Sequence, residues 1–183
     1  MRAAIVALLA LTLVTGVAYP LLVTAATRVA FAREAHGSLY SDGKASALIA
    51  QPITDPALFW PRPSATTKPY DATSSSGSNL GPSNPALATA VAERMKALRA
   101  ADPDNTQAIP MDLVTASASG LDPHISVEAA RYQAPRVARL ASLPIAKVDA
   151  LIAQHTEGRF LGLYGEPRVN VGTLNRALAT LTP

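Results

Sequence analysis

The sequence predicts a single N-terminal transmembrane helix followed by a small, loop-rich α+β domain. Three observations lead there. The segment Ala3–Thr27 (AAIVALLALTLVTGVAYPLLVTAAT) carries no charge over 25 residues. The remainder of the 183-residue chain has no second apolar run of membrane length and is long enough for one domain. The 15 prolines and 5% aromatic content of the whole chain favour short elements joined by loops.

A helix of 25 residues is about 37 Å long at 1.5 Å per residue, against roughly 30 Å of bilayer hydrocarbon. A cleaved signal peptide has an apolar region of roughly 7–15 residues. Val23-Thr24-Ala25 resembles a cleavage site, but the run is too long, so residues 1–33 are read as an uncleaved anchor with a span of about 4–27. Pro20 removes a backbone donor and predicts a kink. Thr12 and Gly16 are spaced for close approach of another helix, although a plain lipid-facing anchor explains them as well. Arg2 precedes the span, and Arg28 and Arg33 follow it, so flanking charge leaves the orientation open.

Residues 34–183 form the second domain. Ser41-Asp42-Gly43 signals a turn, and ASALIAQ is a short apolar run suited to a strand or one helical turn. Residues 61–85 (PRPSATTKPYDATSSSGSNLGPSNP) are too rich in Pro, Ser, Gly and Asn for a regular element; they form a flexible linker or an ordered loop. A helix follows, with Asn84 as N-cap, Pro85 in its first turn and Leu87, Val91, Met95 and Leu98 as its apolar stripe. Glu93 and Arg94 fall on its wet side, and Asp102-Pro103 ends it. IPMDLVTAS reads as a strand. Ser126 caps a helix through VEAARYQ, with Glu128 near its positive end, and Pro135 is expected to break or restart it. A further helix spans about Ile145–Gln154, with Val148, Leu151 and Ile152 inward. VNVGTLNRALATL closes the chain as a helix capped by Asn170, with Leu174, Leu178 and Leu181 on one period.

The stretch LVTASASGLDPHIS (113–126) holds Thr115, Ser117, Ser119, Ser126, Asp122 and His124, the components of a nucleophilic triad. A hydrolase elbow needs Gly-x-Ser-x-Gly, and here only Gly120 follows the serines. A structural and docking turn built by Gly120, Asp122, Pro123 and Ser126 accounts for more of the pattern: Gly120 supplies unusual backbone angles, Asp122-Pro123 turns the chain and Ser126 starts a helix. His36, His124 and His155 lie in no metal-binding spacing, and there is no cysteine for a thiolate site or a disulfide. No EF-hand or GxxxxGK[ST] loop occurs. A net charge of +3 without basic–aromatic clusters argues against nucleic acid as a partner.

Taken together, TGVAYPLL, SALIAQ, RPSAT, SSGSNLGPSNP, VTASASGLDPHIS, YQAPRVAR and EGRFLGLYGEPRVNVGTLNRAL, in that order along the chain, resemble the KdpC family, the C subunit of the bacterial high-affinity potassium-transporting P-type ATPase. Ala50, Pro61 and Ser76 stand where members usually carry glycine. The resemblance implies an accessory, non-catalytic subunit of an ATP-driven potassium import complex. It implies residence in the bacterial inner membrane, with the α+β domain extracytoplasmic, in the periplasm. The implied partners are a potassium-pore subunit and a P-type ATP-hydrolysing subunit, with membrane lipid around the span. It further implies a catalytic chaperone that raises the ATP affinity of the hydrolysing subunit, with Gln133 in YQAPRVA proposed to take part. ATP is implied for the complex; no cofactor is expected on this chain itself. The chain lacks the DKTG phosphorylation motif of P-type pumps. The rival class is a membrane-tethered periplasmic hydrolase or envelope-binding protein.

Overall fold

The computed structural model describes residues 1–181. The chain divides into two compact units, Met1–Ser46 and Ala47–Pro183.

In the first unit, helices α1 (Arg2–Leu13) and α2 (Tyr19–Ala30) are joined by a π-helical turn, Val14–Ala18. Together they form one helix of 29 residues with a mean hydropathy of 2.3, long and apolar enough to cross a membrane. This wider turn lies just before Pro20. Pro20 has no N–H to continue the ladder, and the Tyr19 N–H reaches back five residues to the Val14 carbonyl. Thr15 Oγ1 donates to Leu11 O at 2.7 Å. A short helix α3 (Ala32–Ala35) follows, and a bridge between Leu39 and Ser46 ends the unit.

The second unit contains α4 (Pro85–Ala101), β1 (His124–Ser126), α5 (Val127–Leu140), α6 (Ile145–Gln154), β2 (Thr156–Glu157), β3 (Arg168–Asn170) and α7 (Val171–Ala179). The sheet is antiparallel with β3 central; Ile125 and Thr156 both register with Val169. Phe59, Val137, Val148, Ile152, Val169 and Leu174 are sealed in one core between helices and sheet. At roughly 1.5–3 kcal/mol for each fully buried large apolar side chain, this cluster is the main stabilising mass of the unit.

Four caps follow from local chemistry. Asn84 accepts from Ala86 N, Ser126 from Ala129 N and Asn170 from Thr173 N, as their side-chain oxygens predict. The fourth is the end of α5, where Ser142 takes φ +55° and Leu143 N donates to Ala138 O, a C-terminal motif usually given to glycine.

The structure corrects five expectations. IPMDLVTAS is no strand: Met111–Leu113 forms a 3-10 turn, and Leu113 and Val114 are buried in succession where a half-buried strand would alternate. The strand lies further on, at β1. ASALIAQ forms turns, with neither a strand nor a helix. Pro135 sits inside a continuous α5. It shares the exposed face with Arg131, whose carbonyl it leaves without a helical donor. Arg94 points inward, donating to Val114 O at 2.8 Å. Leu181 lies past the end of α7 and is 42% exposed.

Candidate functional site

The hydroxyl-rich turn sits against the Pro/Ser/Gly-rich loop. Residues 61–77 are ordered on it by backbone and side-chain bonds. Ser76 N donates to Ser119 O at 3.0 Å, Ser117 N to Pro63 O at 3.2 Å, and Ser64 Oγ to Gly120 O at 2.7 Å. Thr66 Oγ1 donates to Lys68 O. Within the segment 61–85, Pro63, Ser64 and Ser76 are among the residues bonded to the turn. Tyr70 is drawn in as well: burial pushes its phenol up to about 12, partly offset by the charge of Arg94, and its hydroxyl donates to Arg62 O at 3.0 Å.

Gly120 adopts φ +70°, where an added Cβ would lie 2.7 Å from Ser76 O and 2.6 Å from Thr66 Cγ2. Both the backbone angle and the close approach therefore require glycine. Asp122 Oδ1 accepts from His124 N at 3.0 Å and lies 3.2 Å from His124 Nδ1, while Oδ2 lies 3.4 Å from Arg62. Burial alone would raise the Asp122 carboxyl, but the two hydrogen bonds from His124 and the charges of His124 and Arg62 outweigh it and hold the group below its ordinary value. Pro123 O accepts from Val171 N at 2.8 Å, tying the turn to the start of α7. Ser126 N and Oγ both donate to Asp112, at 2.7 and 3.1 Å, while Oγ caps α5. Asp112 has no motif around it; its partners are 14 residues away and only the fold brings them together.

The triad components do not assemble. Asp122 and His124 are bonded to each other, but among the described residues neither Ser117 nor Ser119 donates to His124. Ser119 Oγ accepts from Leu121 N at 3.1 Å instead. A groove of about 530 Å³ beside the turn is bordered by Arg62, Asp112, Asp122, His124, Glu128 and Arg168. Its charges are mixed, and Arg62 and Arg168 already face Asp122 and Glu157. No group of three His, Asp or Glu side chains among the described residues is placed to hold a metal ion.

Gln133 lies on the inner face of α5, 1% exposed. Its Oε1 accepts from Trp60 N at 2.8 Å and from Arg136 Nη2 at 2.8 Å, and its Nε2 donates to Trp60 O at 3.1 Å. Asn175 on α7 does the same for the preceding residue: Phe59 N donates to its Oδ1 and its Nδ2 donates to Phe59 O, each at 2.9 Å. Two side-chain amides thus satisfy four backbone groups of adjacent residues that lie outside any strand. Arg136 stacks over the Trp60 ring at 4.6 Å and donates to Pro56 O. Burial lowers its guanidinium to about 10, opposed by Asp102, so it remains charged near neutrality.

In architecture, the described residues comprise one helix long and apolar enough to cross a membrane and a small mixed domain with a three-stranded sheet. Sequence comparison narrows the class. The family model described as KdpC, K+-transporting ATPase, c chain, matches residues 1–180. The potassium-transporting ATPase KdpC subunit of Polaromonas naphthalenivorans is 60% identical over 187 aligned positions, covering 100% of this chain and 95% of the relative. Those of Sorangium cellulosum and Methylococcus capsulatus are 58% and 56% identical, covering 97% and 98% of this chain and 96% and 97% of theirs. The chain belongs to the KdpC family.

Proposed function

We propose that this chain is a non-catalytic accessory subunit of an ATP-driven potassium import complex. One span holds it in the bacterial inner membrane, and its C-terminal domain faces the periplasm. There it assembles or stabilises a potassium-pore subunit and a P-type ATP-hydrolysing subunit. The observation that carries this reading is similarity along the full chain to potassium-transporting ATPase KdpC subunits. The internal use of the turn's polar groups supports a scaffolding role over a chemical one. Gly120, Asp122, Pro123 and Ser126 act in this reading as a structural and docking turn.

The chaperone effect on ATP affinity belongs to the same proposal. With the domain outside the cytoplasm, Gln133 has no access to cytoplasmic ATP, and its amide is engaged by Trp60 and Arg136. The effect is therefore indirect, through the conformational equilibrium of the hydrolysing subunit. Gln133 contributes by holding the fold that the other subunits meet.

Purification of the tagged chain in mild detergent should bring down both larger subunits with potassium-dependent ATPase activity; recovery of the chain alone would count against the proposal. The chain by itself should neither hydrolyse ATP nor take up radiolabelled phosphate. A reporter active only in the cytoplasm, fused after Pro183, should be silent. A mature N-terminus near Ala26 would overturn retention of the span.

A further inference from the structure

The hairpin joining β2 to β3 ends in an apolar tip that the domain does not cover. Phe160, Leu161, Leu163 and Tyr164 are 71, 76, 74 and 67% exposed. Single exposed apolar side chains are ordinary, but four large ones within five residues form a patch of the kind that marks an interaction site.

The tip is also held in shape. Phe160 N donates to Tyr164 O at 2.8 Å and Tyr164 N returns to Phe160 O at 3.0 Å. Leu161, Gly162 and Gly165 all take positive φ, at 53, 72 and 82°. A leucine in this region is strained, and such strain concentrates at binding elements. The base is closed by Arg159–Glu166 at 2.7 Å and Arg168–Glu157 at 2.9 Å. A turn set in one conformation loses little freedom on binding, which favours tight docking.

The charges around the tip choose among occupants. Glu157, Arg159, Glu166 and Arg168 sum to zero and are paired with one another. A loop that enters a bilayer surface draws on unpaired Lys or Arg to meet anionic headgroups, and this one offers none. An apolar centre that includes a tyrosine, ringed by satisfied polar pairs, is the anatomy of a protein–protein contact.

We infer that the Phe160–Tyr164 tip seats in an apolar pocket on another subunit of the same ATPase complex. This rests on the accessory-subunit reading above. The test uses the full chain co-produced with the other subunits, carrying the photo-crosslinker benzoylphenylalanine in place of Leu163. Light should join it to another subunit of the complex, identified by mass spectrometry. A second arm uses Leu163→Asp with Tyr164→Ser, which should lower recovery of the complex by roughly tenfold or more, the scale of a hot-spot loss. The variant chain itself should remain in the membrane with unchanged thermal unfolding. Crosslinking only to a second copy of the chain, or only to lipid, overturns the inference, as does undiminished recovery of the complex with the double variant. If the unaltered chain brings down no other subunit, the accessory-subunit reading fails with it; if the unaltered chain assembles and the double variant assembles equally, only the tip inference fails.

Discussion

Residues 113–126 carry four hydroxyls, an aspartate and a histidine, and the chain binds most of these groups to itself; residues 159–167 carry four large apolar side chains and leave all of them in water. In the first region Ser126 holds Asp112 and α5, Asp122 holds His124 and faces Arg62, and Gly120 makes room for Ser76 and Thr66. In the second, hydrogen bonds and ion pairs are confined to the backbone and the base, and the tip is free. Polar residues gathered in a sequence suggest chemistry, yet a loop-rich domain needs them to satisfy its own backbone. Apolar residues gathered in a sequence suggest core, yet a rigid turn can hold them outside it. Stability and assembly should therefore separate between the two regions.

The hardest blow to that separation would be a tolerant Gly120. Gly120→Val combines a positive φ with a Cβ placed 2.7 Å from Ser76 O. It should cost roughly 3 kcal/mol or more in thermal or urea unfolding of the purified chain. Next is the amide clamp. Gln133→Ala leaves the Trp60 N–H and C=O without partners and should cost roughly 2–3 kcal/mol. Paired with Asn175→Ala, it should show non-additive losses, since the two amides hold adjacent residues. Any change in ATP affinity caused by Gln133→Ala should track this loss of stability. A loss of ATP affinity at full stability would show that Gln133 does more than hold the fold.

Ser126→Ala removes the cap on Ala129 N and a donor to Asp112, and roughly 0.5–2 kcal/mol is expected from unfolding curves. Acid titration sharpens the comparison further. The Asp122 carboxyl lies below its ordinary value of 3.8 in the folded chain. Near that value the unfolded state binds more protons than the native state, so stability rises with pH there. The Asp122 contribution is complete about one pH unit above that ordinary value and is lost as pH falls through the folded value. Unfolding of Asp122→Asn, followed across that window, should show a shallower acid dependence. The smallest stability effect belongs to the tip: Leu163→Ser should shift unfolding by no more than about 0.5 kcal/mol, because nothing in the domain packs on it.

Much of this architecture was legible from local chemistry. The uncharged run, the Asn84, Ser126 and Asn170 caps, and the Ile145–Gln154 helix depend on residues within one or two turns. What escaped depends on distance. Arg94 is a wet residue by helical period, but it finds Val114 O 20 residues on. Pro135 sits on the exposed face of a continuous α5, which is a property of how α5 packs. The turn's own residues were visible in the sequence; its partners Asp112, Ser64 and Ser76 were not, since none lies in a recognisable spacing. The exposure of FLGLY was hidden for the same reason, because composition does not tell which side of a hairpin the core will cover.

Asn175 and Gln133 close chain segments of 116 and 73 residues onto Phe59 and Trp60. Synthesis runs from the N-terminus, so Phe59 emerges long before the amide that holds it. Trp60 gains its partner once α5 has been made, but Phe59 only with α7. Native order at Phe59 is therefore set only after α7 has been made. Loss of the last dozen residues would release a segment more than a hundred positions upstream. In hydrogen exchange, the Phe59 amide should then lose its protection, while the Trp60 amide stays held by Gln133.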